Sequence, residues 1–163
     1  MILVCNAGPV IALAKIDRLS LLESLATSVS IPEIVFHEIL AKPGVENERI
    51  LQATRTFLKV IPSATQTTSQ LTTAIRQLDS GESQVIALAS SDLPLATALL
   101  DDAAGRRVAR KLGIPIMGFA GLLLAAKERH LLDRVTPHLH EARDLGYWLS
   151  DELIDTVRRL AGE

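Results

Sequence analysis

Short apolar runs, too brief to be helices, recur along this chain, and a helical pattern follows each one at once. Residues 1–5, 28–31, 58–61, 95–100 and 114–117 read as strands, because each is short, apolar and bounded by turn formers. Between them, helical spacing runs over 9–16, with Pro9 in the first turn, then 19–25, 32–40 and 45–57. Further helical patterns cover 71–78, 81–89 and 103–112, where Gly113 suits a C-cap. Two or three helices are expected to close the chain, over 119–127, 131–143 and 151–161. Alternation of this kind predicts βαβ units and an α/β fold: a mostly parallel sheet of roughly five strands covered by helices on both faces. Residues 62–70 form the most polar, Ser/Thr-rich stretch and are expected to be a mobile loop.

The filling of such a sheet follows from composition. Of 163 residues, 48% are apolar but only 3% aromatic, so the core is expected to be Leu, Ile, Val and Ala. The same scarcity argues against the base-stacking surface that single-strand binders use. The net charge of −2 supplies no overall basic field for nucleic acid. A nucleic-acid partner would need a local patch or a metal. Dense basic spots occur at Arg106-Arg107 with Arg110-Lys111, and at Arg158-Arg159.

Cys5 is the sole cysteine, so neither an internal disulfide nor a thiolate metal cluster can form, and a buried thiol is expected. His37, His130, His138 and His140 are scattered and make no zinc site. No basic leader precedes the first apolar run, and no apolar stretch reaches the roughly 20 residues that span a bilayer. The expectation is a cytoplasmic chain without membrane contact.

In open α/β sheets, function gathers outside the carboxyl ends of the strands. Asn6 stands at one such end, and Asp101-Asp102 at another. Glu38, in IPEIVFHEIL, and Glu82, in LDSGESQVIALA, hold helix positions that can face the same edge. Each has a bland explanation. Asp79-Ser-Gly-Glu82 matches a capping box, with Glu82 reaching back to Asp79. Asp101 or Asp102 can cap the following helix, with Asp102 paired to Arg106. Glu38 can be a solvated helix residue, and Asn6 a turn former. Taken together, crowded carboxylates would raise one another's pKa values, and a divalent cation relieves that repulsion. All-oxygen ligands point to Mg²⁺ or Mn²⁺, ions that activate water and neutralise charge on a phosphodiester.

The chain also resembles the PIN-domain superfamily of metal-dependent ribonucleases, which includes the toxins of many bacterial toxin–antitoxin pairs. The resemblance rests on NAGPVIALAKI, IPEIVFHEI, LDSGESQVIALA, LLDDAAGRRVARKLGIPIMGFAGLLLAAKERHLL and the terminal LAGE, which together span essentially the whole chain. It points to a PIN-like branch with Asn at the first acidic position. It implies a single PIN-like domain over residues 1–163, a three-layer α/β/α arrangement and an acidic pocket at the strand ends. On this resemblance Asn6 stands where PIN nucleases usually carry their first catalytic Asp, and Glu38 and Glu82 match the next two acids. Asp101 and Asp102 together cover the acid after the fourth strand. Asp102 is favoured as ligand, since Asp101 can cap the helix.

The implied activity is an endoribonuclease using Mg²⁺ or Mn²⁺ to leave 5′-phosphate and 3′-hydroxyl ends, with Arg106 and Arg107 on the RNA backbone. The implied partners are an RNA substrate, a small antitoxin protein and a second copy, through apolar faces near 122–126 and 147–149. The neutral Asn6 removes one charge from the site. The rival reading is therefore a catalytically impaired PIN-like module that binds RNA or protein. A receiver-type phosphoacceptor is the third option, although receivers carry their acidic pair after the first strand.

Overall fold

The computed structural model describes residues 1–63, 68–92 and 94–163, with Gln70 described by its backbone alone. Its strands are β1 (Ile2–Cys5), β2 (Ser28–Pro32), β3 (Leu58–Ile61), β4 (Ala96–Leu99) and β5 (Ile116–Met117). They form one all-parallel sheet in the order β3-β2-β1-β4-β5. The first helices are α1 (Ala7–Lys15), α2 (Ser20–Leu25), α3 (Glu33–Leu40), α4 (Glu46–Thr54) and α5 (Ser69–Ile75). The remainder are α6 (Ser80–Ser91), α7 (Ala103–Lys111), α8 (Phe119–Glu128), α9 (Thr136–Asp144) and α10 (Asp151–Leu160). This is the three-layer α/β/α arrangement that the alternation predicts.

Position in the sheet explains the strand sequences. β1 pairs with β2 on one side and β4 on the other, so neither of its edges is open, and α6 packs against it. Leu3, Val4 and Cys5 are buried, as is every residue of β4. A strand buried on both faces has no polar side to show, and therefore reads as a continuous apolar run. Burial also pushes the Cys5 thiol up to about 12, so it packs as a small inert hydrophobe.

The order of the strands creates the crevice. The chain builds β1, β2 and β3 outward on one side, then returns to lay β4 and β5 on the other. Right-handed crossovers put the connections through α1–α4 and those through α5–α7 on opposite faces. α6 lies against β1, β2 and β4, and α1 packs on α3, α4, α8 and α9. The order reverses between β1 and β4, where Cys5 stands opposite Leu99 and the Asn6 N–H donates to the Leu99 carbonyl at 2.9 Å. Adjacent strand ends at such a reversal leave an open cleft.

Two helix boundaries differ from expectation for identifiable reasons. α9 begins at Thr136, not at 131, because Pro137 lacks an N–H and is tolerated only in a first turn. α5 begins inside the expected loop, since the Thr68 hydroxyl caps it by accepting the Leu71 N–H at 3.2 Å. The rest of that expected loop includes residues 64–67, which lie outside the described residues. The expected dimer face is also largely interior: Leu122, Leu123 and Ala126 are core residues, and Leu149 is buried. Only Trp148 of that set is widely exposed, at 84%. Among the described residues, no helix is long and apolar enough to cross a membrane.

α9 lacks a capping side chain of its own and borrows one from Glu163. The Glu163 carboxylate accepts from the Val135 N–H at 2.6 Å and the Thr136 N–H at 3.0 Å, and Lys127 Nζ stands 2.8 Å away. The side chain is only 5% exposed. Burial pushes this carboxyl up, but the Lys127 ammonium and the two backbone donors outweigh it and bring it down to about 2.

A carboxyl depressed in the folded state binds fewer protons there than in the unfolded chain. Its contribution is therefore present above the unfolded value of 4.5 and is lost as pH falls through about 2. Glu163→Ala is expected to cost about 2 kcal/mol at neutral pH and to lower Tm by about 4–8 °C. It should also flatten the acid limb of a Tm-against-pH curve below pH 4.5. An unchanged melting curve would refute the capping role.

Candidate active site

Helix N-termini build this site. Asn6 caps α1, with its Oδ1 accepting the Ala7 N–H at 2.9 Å. Asp79 caps α6, accepting the Glu82 N–H at 2.7 Å. Asp102 caps α7, accepting from the Ala104 and Gly105 N–H groups at 2.7 and 3.0 Å. Each N-terminus presents unpaired N–H groups and a positive dipole end, so an acceptor side chain there satisfies both demands. The consequence is a set of oxygen atoms gathered where β1 and β4 end.

Two small groupings result. In the first, Asn6 and Glu38 face Gly81 at the head of α6. A Cβ on Gly81 would lie 2.9 Å from Glu38 Oε2 and 3.5 Å from Asn6 Oδ1, so hydrogen at this position leaves room for both. In the second, Glu82 and Asp102 are carboxyl neighbours: a Cβ on Gly105, whose N–H donates to Asp102, would lie 3.7 Å from Glu82 Oε1. Glu82 is 6% exposed. Its carboxyl is pushed up to about 7 by burial, then by the charges of Asp79 and Asp102 and the bond to Asp102. Asp102 moves the other way: the Gly105 N–H holds it down against the opposing effect of desolvation, and the Ala104 N–H and Glu82 assist. One carboxyl of the pair therefore carries a proton far more readily than the other. Glu38 is also raised, by burial and then by Asp79.

Asp101 goes elsewhere. Its carboxylate accepts the Phe119 N–H at the head of α8, at 3.1 and 3.2 Å, and the Tyr147 hydroxyl. Desolvation raises this carboxyl, against the lowering effects of Tyr147, Phe119 and Arg106. Solvent still reaches the residue, and two donors and the Arg106 charge face its carboxyl. Tyr147 packs edge-on to Phe119, with ring centroids 5.1 Å apart, and its hydroxyl stands against Gly8. Asp101 thus ties β4, α8 and the segment before α10 together.

Three local expectations change accordingly. Asp102, not Asp101, caps α7, because its side chain reaches back to the N–H groups two and three residues on. Glu82 gives its N–H to Asp79, while its carboxyl meets Asp102 instead of completing a capping box. Arg106 does not pair with Asp102: its Nη1 donates to the Leu100 carbonyl at 3.3 Å and its charge faces Asp101. Two residues at the site escaped the sequence reading. Asp79 was legible only as a cap, yet its charge reaches both Glu38 and Glu82. Tyr147 carried no local signal at all.

A family model for the PIN domain matches residues 2–163. The chain belongs to the PIN-domain family. No curated protein matches it. PIN membership brings a nuclease-type fold, a general dependence on divalent metal and an expectation of RNA binding. Among the described residues, no three Asp, Glu, His or Cys side chains form a group that could hold a metal ion. This PIN domain's donors nevertheless fit a hard cation that is held by few protein ligands. Mg²⁺ commonly binds through one or two carboxylates and completes its shell with water and substrate phosphate. Glu82 and Asp102 supply such a pair, with the Glu82 carboxyl beside Gly105, whose N–H Asp102 accepts.

Proposed function

We propose that this PIN domain is a metal-dependent endoribonuclease, a single PIN-like domain over residues 1–163, serving in the cytoplasm as the toxin of a toxin–antitoxin pair. The observation that carries the reading is the Glu82–Asp102 carboxyl pair at the head of α7, beside the β1–β4 reversal. Glu82 and Asp102 would hold Mg²⁺ or Mn²⁺, and Glu38 and Asn6 complete the oxygen-lined pocket. When bound, such an ion supplies Lewis acidity toward a phosphoryl group and lowers the pKa of water.

The chain's own residues do the rest. In the metal-free pocket Glu82 is pushed up to about 7, so an ion held there would compete with a proton at this carboxyl near neutral pH. Asp102 stays ionised under its two backbone donors. Asp101 acts as a positioning residue, through Phe119 and Tyr147. Arg106 and Arg107 stand on α7, four and five residues after Asp102, and would meet the phosphodiester there. The products would carry 5′-phosphate and 3′-hydroxyl ends.

One observation favours a second reading. Asn6 is neutral, and its Oδ1 is already engaged by the Ala7 N–H. On that reading the chain is a catalytically impaired module that binds RNA or a small protein, or pairs with itself through the exposed Trp148. Calorimetric titration with Mn²⁺ and Mg²⁺, alongside cleavage of end-labelled single-stranded RNA, separates the two. Saturable metal binding with chelator-sensitive cleavage is the expected result. RNA binding without cleavage, at any metal concentration, would establish the impaired module.

A further inference from the structure

A polar cavity of about 540 Å³ opens at the end of the molecule away from the acidic pocket. α1 leaves the acidic edge at Asn6 and α8 leaves it beside Asp101, and the cavity lies beyond the far end of both helices. At 1.5 Å per residue, their 9 and 10 residues put about 14–15 Å of helix between the two places. Two separate segments form its walls: Arg18, Ser20 and Leu21 after α1, and residues of the 131–138 stretch after α8.

The guanidiniums in these walls are held in place without being used up. Arg18 Nη1 donates to the Asp17 carbonyl at 3.0 Å, which leaves the rest of its fork free to turn to the cavity. Arg134 Nε stands 3.9 Å from Glu163 Oε2, beyond hydrogen-bonding distance, and that carboxylate is already taken by Lys127 and two backbone N–H groups. Ser20 adds an exposed hydroxyl. Against these donors stands Asp133, the one acid among the described lining residues. His138 lines the same wall, and its Nδ1 is buried, 3.6 Å from Glu141, with no hydrogen-bond partner among the described residues. Buried polar atoms are ordinarily paired, so this wall carries an unmet demand for a polar neighbour.

One Arg fork already satisfies a planar carboxylate. Two guanidiniums and a hydroxyl on facing walls suit a tetrahedral phosphate dianion better, because it offers more acceptor oxygens. The volume lies within the range of small-molecule sites and leaves room beyond the phosphate. Leu21, Leu131 and Pro137 give apolar surface for the remainder, and Asp133 gives an acceptor for its hydroxyl or amino groups. We propose that this cavity binds a small organic phosphate of nucleotide size, with the phosphate on Arg18 and Arg134. The site uses none of the clustered acids and stands apart from the nuclease reading.

The test is calorimetric titration, in chelator, with adenosine 5′-monophosphate, inorganic phosphate and adenosine. The wild type should bind the monophosphate saturably, inorganic phosphate should compete for the same place, and adenosine should bind far more weakly. Arg18→Gln/Arg134→Gln should bind the monophosphate at least about tenfold more weakly. Ser20→Asp places a carboxylate at an exposed position in the first turn of α2, where an acid suits the helix, so its melt should match the wild type while phosphate binding is lost. Glu82→Gln should bind as the wild type does, and the monophosphate should raise Tm for both. Absence of saturable binding by the wild type overturns the proposal, as does equal affinity for adenosine. Unchanged affinity in both cavity variants also overturns it. Loss of binding in Glu82→Gln would put the phosphate in the acidic pocket and overturn it as well.

Discussion

Glu82→Gln should reduce metal-dependent RNA cleavage by about a thousandfold, the scale expected when a group that holds the ion or moves the proton is removed. The change is nearly isosteric, so the fold should stand. The metal-free variant should even melt higher, by about 2–4 °C for each kcal/mol of relieved repulsion from Asp79 and Asp102. The pH dependence provides an independent reading. A carboxyl raised from 4.5 to about 7 binds more protons in the folded chain than in the unfolded one. Its contribution to stability is therefore full below pH 4.5 and is lost as pH rises through about 7. Melting curves of the metal-free wild type should fall over that window, and those of Glu82→Gln should not. Retained cleavage in the variant would show that the Glu82–Asp102 pair is not the centre.

Asn6→Asp should tighten Mn²⁺ binding by about tenfold, or about 1.4 kcal/mol, because a full charge joins a pocket that binds hard cations by charge as well as geometry. Asp caps a helix as well as Asn does, so the Ala7 N–H keeps its acceptor and α1 keeps its start. The neighbours decide the cost. Glu38, already raised by burial and by Asp79, would face a further anion across Gly81, so the metal-free variant should be less stable than the wild type. Cleavage measured with the same RNA then distinguishes the two functional readings. A modest gain over an active wild type marks a working nuclease. A jump from no activity marks an impaired scaffold whose first acid has been restored. Unchanged metal affinity would remove Asn6 from the site.

The strands were legible because a strand buried on both faces, such as β1, leaves an unbroken apolar run. Their lateral order was not, since nothing in residues 1–5 states that β4 must lie beside them. The same division applies at the site. Asn6 and Glu38 could be nominated from local spacing, because each sits at a strand end or on a helix that leaves one, and Glu82 because it stands in the first turn of α6. The division of labour between Asp101 and Asp102 could not. One meets the N–H groups of the helix it begins, and the other meets the N–H of Phe119 on a different helix, a matter decided by packing of β5 and α8. Asp79 is a short-range cap and a medium-range charge at once, and only the first role shows in a sequence. Glu163 capping α9 across 27 residues belongs to the same hidden class.

The central place of β1 has a temporal consequence during synthesis. β1 is the first strand made, yet one of its two partners, β4, comes roughly ninety residues later. At ordinary translation rates of about 5–20 residues per second, that edge of β1 stays unpaired for about 5–20 s. For that interval the nascent chain displays Leu3, Val4 and Cys5 along an open ladder, the kind of surface that chaperones shield and that aggregates recruit. The crevice between β1 and β4 is closed by the same late event. Acidic groups brought together there remain apart on the ribosome, and any activity they support begins only once β4 has docked.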